Sequence, residues 1–370
     1  MIPVLLLLTS FFLSFGLGLL LIPNILLISH KKHLYDIPDK RKQHKGAIPQ
    51  LGGISFFPAI LIALSISLAV TLKLDLIPRD PLYDNTLVEF LFLMAGSMFL
   101  FLIGIADDLI GVSYSYKFVV QLMAACLIVF AGDWFNHLGG FLGIGAIPEY
   151  IGIPLTIVFI VYVINALNLI DGIDGLASGL SIISLTMLSL MLFLLRHYVY
   201  AALALSTLGV LVPFWFYNVF GSVKKGHKLF MGDTGSLMLG YILGFLVVRI
   251  GIALPVGEFH SRQLVMAVSP MLIPLFDVVR VVIFRLRHGK NPFLPDNNHF
   301  HHKLLRTGMG VHAVLLFILA VCVFFLVVNY LLVDHISITW LLLLDIALWV
   351  IMHLILDVFV HRGKKTKAKV

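Results

Sequence analysis

The sequence predicts an all-α polytopic membrane protein with about 10–11 transmembrane helices, and three observations carry that prediction. Its 370 residues are 60% hydrophobic and only 12% charged, with a mean hydropathy of +1.04, far from the balance of a soluble domain. Apolar runs of roughly 17–25 residues, enough to cross a hydrocarbon core of about 30 Å, recur along nearly the whole chain. Positive charge gathers in alternate connecting segments, the asymmetry that orients such proteins.

The candidate spans lie near residues 2–28, 52–74, 88–106, 117–132, 151–170, 179–196, 199–220, 235–254, 264–284, 311–332 and 339–359. The first has no charged segment ahead of its apolar run and no cleavage-like small residues behind it, so it is expected to be a retained helix and not a removed signal. The second follows the Gly52-Gly53 pair and stops at Lys73, and the third stops at Asp107 and Asp108. The fourth, beginning at Lys117, is the shortest. Spans five and six are separated by the polar stretch around Asp171 and Asp174, and spans six and seven by a turn at Arg196. Asp233 precedes the eighth, and Arg285 and Arg287 follow the ninth.

With the N-terminus outside, 21 of the 26 Lys and Arg fall on inner segments, and the C-terminus is cytoplasmic. The net charge of +7 is therefore concentrated on one membrane face, where anionic headgroups and substrates can meet it. No hydrophilic run is long enough to fold separately. The chain reads as a single transmembrane domain over 1–360 with a basic cytoplasmic tail at 361–370, multi-pass in the cell inner (plasma) membrane. That leaves no soluble module for nucleic acid. Cys126 and Cys322 both fall within apolar runs, which argues against a disulfide framework. A monomer and a homodimer both accommodate this reading.

The chemistry gathers in five inner segments. "DIPDKRKQHKGAIPQLGG" (36–53) carries Arg41, Lys42, His44, Lys45, Pro49, Gly52 and Gly53. It reads either as a positive-inside anchor or as an anion loop whose glycines let backbone approach phosphate. In "ADDLIGVSYSYK", Asp107 and Asp108 end one span and Lys117 starts the next. Two adjacent carboxylates at a membrane boundary repel unless a cation or hydrogen-bond donors stabilise them. A helix cap explains one of them. In "NALNLIDGIDGLASG", Asn165, Asn168, Asp171 and Asp174 recur every third residue, which on a helix makes a polar wall facing a ligand. Helix–helix hydrogen bonding is the plainer alternative.

The fourth segment, "FYNVFGSVKKGHKLFMGDTGSL", places Asn218, Lys224, Lys225 and Phe230 before Asp233, Thr234 and Ser236. Its Gly-Asp-Thr-Gly is not a Walker loop. The fifth, from Asp277 through Arg280, Arg285, Arg287, His288 and Lys290 to His299, His301 and His302, is rich in cations and histidines. Zinc is disfavoured there, since the neighbours are cationic and no cysteine assists. Oxygen donors suit Mg²⁺, with Mn²⁺ as an alternative, bridging protein and substrate phosphates. A secondary transporter is the rival from another class, but these carboxylates cluster at a membrane boundary with no visible repeat.

In order, "DDLIGVS…K", "NALNLIDGIDGLASG", "FMGDTGSL" and "HFHH" resemble the polyprenyl-phosphate N-acetylhexosamine-1-phosphate transferases, glycosyltransferase family 4, which include the WecA, TagO and MraY enzymes. The resemblance spans about residues 30–310. It implies transfer of a sugar-1-phosphate from a UDP-N-acetylhexosamine to undecaprenyl phosphate, with Mg²⁺, releasing UMP. "RLRHGKNPFLPDNNHFHH" is similar to the WecA-like branch, which implies UDP-N-acetylglucosamine as donor and the initiating step of a cell-envelope glycan. Another UDP-HexNAc or UDP-MurNAc-pentapeptide is the alternative. Position by position, the resemblance implies Asp233 and Asn168 at the metal, and Asp107, Asp108, Lys117, Asp171 and Asp174 as catalytic residues. It implies Asn218, Phe230, Arg280, His299, His301 and His302 around the substrate.

Overall fold

The computed structural model describes residues 2–35, 48–74, 82–252, 259–289 and 298–367. Arg41, Lys42, His44, Lys45 and Lys290 lie outside the described residues. Among those described, thirteen α-helices follow in order: α1 (Ile2–Lys32), α2 (Phe56–Lys73), α3 (Leu82–Ile110), α4 (Tyr114–Phe130), α5 (Glu149–Ile170), α6 (Leu176–Leu194), α7 (Tyr198–Phe220), α8 (Gly232–Ile252), α9 (Phe259–Val268), α10 (Leu272–Arg287), α11 (Phe300–Arg306), α12 (Val311–Leu332) and α13 (Ile338–Lys367).

Ten helical stretches are long and apolar enough to cross a membrane, one of them built from α9 and α10 across a 3₁₀ turn at Ser269–Met271. This is a multi-pass membrane protein. The short α4 has 17 residues, about 25 Å at 1.5 Å per residue, just below a full crossing. α13 continues to Lys367, into the segment read as the basic tail.

Helix α8 is the axis of the bundle: 89% of its most apolar window is buried. Helices α3, α5, α6, α7 and α9 pack around it. Far from the site, Arg249 near the end of α8 is held by Asp133 Oδ1 at 2.8 Å and Glu89 Oε1 at 3.3 Å. The Tyr200 hydroxyl donates to Glu89, and the Arg249 guanidinium lies 4.9 Å from the Tyr200 ring centre. Burial of Asp133 in the loop after α4 pushes its carboxyl up, and the Arg249 cation opposes that.

One element departs from the all-α expectation. A two-stranded antiparallel hairpin, β1 (His137–Phe141) and β2 (Ile144–Ala146), joins α4 to α5. Leu142 at its tip donates a backbone bond to Thr339 Oγ1 at 2.7 Å. The hairpin sequence "HLGGFLGIGA" is apolar on both faces, so its strand alternation is invisible in the pattern.

Candidate functional site

The first turn of α8 organises the polar end of the bundle. Gly232 has φ +72, and a Cβ there would lie 2.5 Å from Asp108 Oδ2, so both backbone conformation and space demand glycine. Through that gap Asp108, from the end of α3, caps α8. Its Oδ1 accepts from the Asp233 N–H at 2.7 Å, and its Oδ2 accepts from the Thr234 N–H at 3.1 Å and the Thr234 hydroxyl at 2.6 Å. A capping carboxylate is thus present, but it serves a helix far away in sequence.

Asp107 has a different task. Its Oδ1 accepts from the Val112 N–H at 2.7 Å, and its Oδ2 accepts from Lys117 Nζ at 3.1 Å. Lys117, at the start of α4, also donates to Asp233 Oδ2 at 2.8 Å. One ammonium therefore joins the end of α3 to the start of α8. Asn168, in the last turn of α5, donates to Asp233 Oδ1 at 3.0 Å and to Ser236 Oγ at 2.9 Å, leaving its amide oxygen unused in both bonds.

The expected polar wall of four residues on one helix face is not formed. α5 ends at Ile170, so Asp171 and Asp174 lie on the loop beyond it. Asn165 turns aside, donating to Gln121 Oε1 at 2.7 Å and to the Val161 carbonyl at 2.8 Å, which is a helix–helix contact. Asp171 is partly exposed and, among the described residues, has neither a hydrogen bond nor an ion pair. Burial pushes its carboxyl up to about 7, with the Asp233, Asp174 and Asp108 carboxylates adding to the shift. Asp174 is paired to Lys228 Nζ at 2.7 Å.

Lys228 was not singled out by the sequence reading, which noted the exposed Lys224 and Lys225 instead. Its flanking "KLFM" is apolar, and a lysine entering a buried run is the signal that could have found it. Asn218 is also placed otherwise than expected. Its Oδ1 accepts from the Gly175 N–H at 2.5 Å and its Nδ2 donates to the Leu229 carbonyl at 2.8 Å, while its own carbonyl accepts from Lys228. Both amide atoms are bonded within the protein. Asn218 therefore clamps the Asp171–Gly175 loop to the segment before α8 and presents no free amide edge to a nucleotide.

Gly52 and Gly53 are likewise corrected. Their N–H groups donate to Phe230 O at 2.9 Å and Met231 O at 2.8 Å, and a Cβ on Gly53 would meet Gly235 N at 2.1 Å. These glycines allow close approach of the protein's own backbone, not of phosphate. Phe230 donates its N–H to Pro49 O at 2.8 Å, so its backbone is a rung of the same junction.

The histidine segment closes one side. Asp277 in α10 is fully buried and accepts from Arg280 Nη2 at 2.7 Å, His299 Nδ1 at 2.8 Å and the Phe300 N–H at 3.0 Å. His299 stacks on His301 with ring centres 5.9 Å apart, and the His302 ring is 4.2 Å from that of His301. A Cβ on Gly172 would come within 2.2 Å of His301 Nε2, so this imidazole rests on the backbone beside Asp171. Among the described residues neither His301 nitrogen has a partner. Burial first, then the His302 and His299 charges, pull its pKa down to about 3, so the ring is neutral. A buried, unbonded imidazole over the loop is a vacancy for a ligand hydrogen bond. Arg280 is held by Asp277 and by the Asn298 carbonyl.

The structure thus brings Asp107, Asp108, Lys117, Asn168, Asp171, Asp174 and Asp233 to one end of the bundle, with His301 above the loop. Five carboxylates face two lysines there, Lys117 and Lys228, and Asp171 is left without a counter-charge. No group of three or more His, Cys, Asp or Glu among the described residues could hold a metal by itself. Mg²⁺ ordinarily uses one or two carboxylates, waters and substrate phosphates. The Asp233 carboxylate and the Asn168 amide oxygen, with Asp107 and Asp171 nearby, fit that partial shell.

Residues 90–251 match the profile of Glycosyl transferase family 4. The chain is 34% identical over 289 residues to an undecaprenyl-phosphate alpha-N-acetylglucosaminyl 1-phosphate transferase of Pasteurella multocida, covering 76% of this chain and 74% of that one. It is 31% identical over 299 residues to the enzyme of the same name from Haemophilus influenzae, covering 78% and 77%. For Escherichia coli K12 the identity is 29% over 284 residues, covering 76% and 71%.

Proposed function

The chain belongs to glycosyl transferase family 4, and from that premise we propose that it transfers N-acetylglucosamine-1-phosphate from UDP-N-acetylglucosamine to undecaprenyl phosphate. The products are undecaprenyl-pyrophosphoryl-N-acetylglucosamine and UMP. The observation that carries this reading, beside the named relatives, is the Asp107–Lys117–Asp233–Asn168 constellation at the start of α8. The charge bias of the connecting segments supports a cytoplasmic position for that end of the bundle, where the nucleotide sugar is found, and with it a place in the plasma membrane.

A lipid phosphate oxygen attacks the β-phosphorus of the donor, and UMP leaves. Both reactants are anions, so charge neutralisation precedes every other need. Lys117 sits between Asp107 and Asp233, so it is fixed in place before substrate arrives and can turn toward a phosphate without being recruited from solvent. Asp233 and Asn168 would hold Mg²⁺, with Asp107 and Asp171 in support. That ion, when bound, supplies Lewis-acid neutralisation of the pyrophosphate. Neutral His301 carries one N–H that can donate to a sugar or phosphate oxygen and one nitrogen that can accept from a sugar hydroxyl.

A general base is of little use here. A phosphate monoester has a second pKa of about 6, so at pH 7 roughly nine in ten acceptor molecules are already dianions. Both Asp107 oxygens also accept hydrogen bonds. Its role is therefore to orient Lys117 and the α3–α4 turn. The preference for N-acetylglucosamine as the sugar rests on the similarity to relatives named as N-acetylglucosaminyl 1-phosphate transferases.

The test is UMP release by purified protein given undecaprenyl phosphate and, in turn, UDP-GlcNAc, UDP-GalNAc and UDP-MurNAc-pentapeptide. Turnover with UDP-GlcNAc is expected. Turnover with the pentapeptide donor alone would overturn the sugar assignment, and none with any donor would overturn the reaction.

A further inference from the structure

Asp277 belongs to none of the residues given a role above, yet it is the most heavily bonded carboxylate among the described residues of the histidine segment. It is fully buried in α10, and its two oxygens divide the work. Oδ1 accepts from Arg280 Nε at 3.2 Å, Arg280 Nη2 at 2.7 Å and the Phe300 N–H at 3.0 Å. Oδ2 accepts from His299 Nδ1 at 2.8 Å.

An ionised carboxylate can only accept, so Nδ1 of His299 must carry the proton in that bond. The tautomer is thereby set, and Nε2 is the one ring nitrogen that can meet a ligand. His299 in turn stacks almost parallel to His301, with 6° between the rings, and His301 rests on Gly172 beside Asp171. A continuous series runs from Asp277 through His299 and His301 to the carboxylate loop. We propose that Asp277 is a positioning residue for substrate binding, acting through His299: it fixes the protonated nitrogen and the ring plane so that Nε2, the acceptor of the neutral ring, addresses a sugar hydroxyl of the nucleotide donor.

Arg280 has a consistent place in this arrangement. Its guanidinium is held on the other oxygen of Asp277, so it keeps that carboxylate ionised and stationary. The Phe300 N–H bond does the same for the start of α11, whose Phe300 side chain is seated against α13.

The inference rests on the transferase reading, and the experiment separates the two. Wild-type protein must first release UMP from UDP-GlcNAc, and if it does not, that reading fails by itself. Asp277→Asn keeps the shape but offers an amide N–H to one of the donors, allowing His299 to reverse its tautomer. The expected result is a KM for UDP-GlcNAc raised about 10–100-fold, the range for loss of the orienting partner of a metal-bound histidine, with a smaller change in kcat. Asp277→Glu should recover part of that loss.

The decisive comparison is with His299→Ala. If Asp277 acts through His299, the double variant Asp277→Asn/His299→Ala should match His299→Ala within about twofold, since the second change has nothing left to misalign. Independent, multiplying losses would assign Asp277 to architecture and overturn the proposal. Failure of the near-isosteric Asp277→Asn protein to fold would overturn it in the same way, and so would an unchanged KM.

Discussion

Replacing Asp108 by Asn should loosen the whole protein, whereas the same change at Asp107 should lower turnover without melting it. Asp108 accepts three bonds from the first turn of α8, two from backbone N–H groups and one from the Thr234 hydroxyl. An Asn side chain keeps one acceptor oxygen and turns an NH₂ group toward the donors of the other side. One to two charge-assisted bonds of about 1.5–3 kcal/mol each are lost, so the expected cost is about 2–4 kcal/mol. At Asp107 the bonds are to Val112 N–H and to Lys117, which retains Asp233, so the cost should be about 1 kcal/mol or less. The assay is thermal unfolding of both variants in one detergent, followed by intrinsic fluorescence, with turnover measured on the same preparations. Thr234→Ala should lower stability in the wild type and do little in the Asp108→Asn background. An Asp108→Asn protein that melts like wild type and does not turn over would refute the capping argument and return Asp108 to the chemistry.

Four further outcomes follow from the same geometry. Lys228→Met removes the donor to Asp174 and to the Asn218 carbonyl, and with Asp174 30% exposed the loss costs about 1–3 kcal/mol. It should raise the donor KM by loosening the Asp171–Gly175 loop, and unchanged kinetics would count against that loop's role. Gly53→Ala places a Cβ 2.1 Å from Gly235 N and 2.4 Å from its Cα, backbone that cannot yield, so little folded protein should be recovered. A normal yield would contradict the packing. His301, with its pKa near 3, stays neutral in the folded protein while the unfolded chain protonates through about 6.5. Its stabilising contribution is therefore present above pH 6.5 and lost as pH falls toward 3, about 2 kcal/mol at pH 5. His301→Gln should flatten the decline in melting temperature between pH 7.5 and 5, and an unaltered decline would refute this. Asp233→Asn should weaken the Mg²⁺ dependence of turnover, and an unchanged Mg²⁺ titration would remove Asp233 from the metal shell.

How far these features were legible depends on the range of the physics behind them. Span positions follow from local hydropathy, and most helices begin or end within a few residues of the expected limits. The three-residue spacing from Asn165 to Asp174 failed because Gly172 and Gly175 interrupt the helix, and Gly175 adopts φ +77. Glycine at those two positions was the available warning. Asn168 stands beside Asp233, a contact set by tertiary packing and not by local sequence. Asn218 and the Gly52-Gly53 pair looked like ligand contacts because their residue types serve both purposes. Whether an amide or a glycine meets a ligand or another strand of the same chain is decided by long-range packing. Lys228 went unseen because its partner Asp174 is 54 residues away.

Capping of α8 by α3 has a further consequence for charge. A helix N-terminus is normally a place for phosphate, but here Asp108 already occupies the first N–H groups of α8. Lys117 is shared by two carboxylates, Lys228 is held by Asp174, and Arg280 by Asp277. Each of these cations is therefore already matched by a carboxylate, and His301 is neutral. Among the described residues, a pyrophosphate entering beside Asp171 would meet these carboxylates with Lys117, Lys228 and Arg280 already engaged. The proposed divalent cation would give Asp171 and Asp233 a partner, free Lys117 to turn toward phosphate, and make donor binding depend on metal. Donor affinity measured with and without Mg²⁺ tests the argument, since tight binding of UDP-GlcNAc in the presence of chelator would show that the protein's own cations suffice.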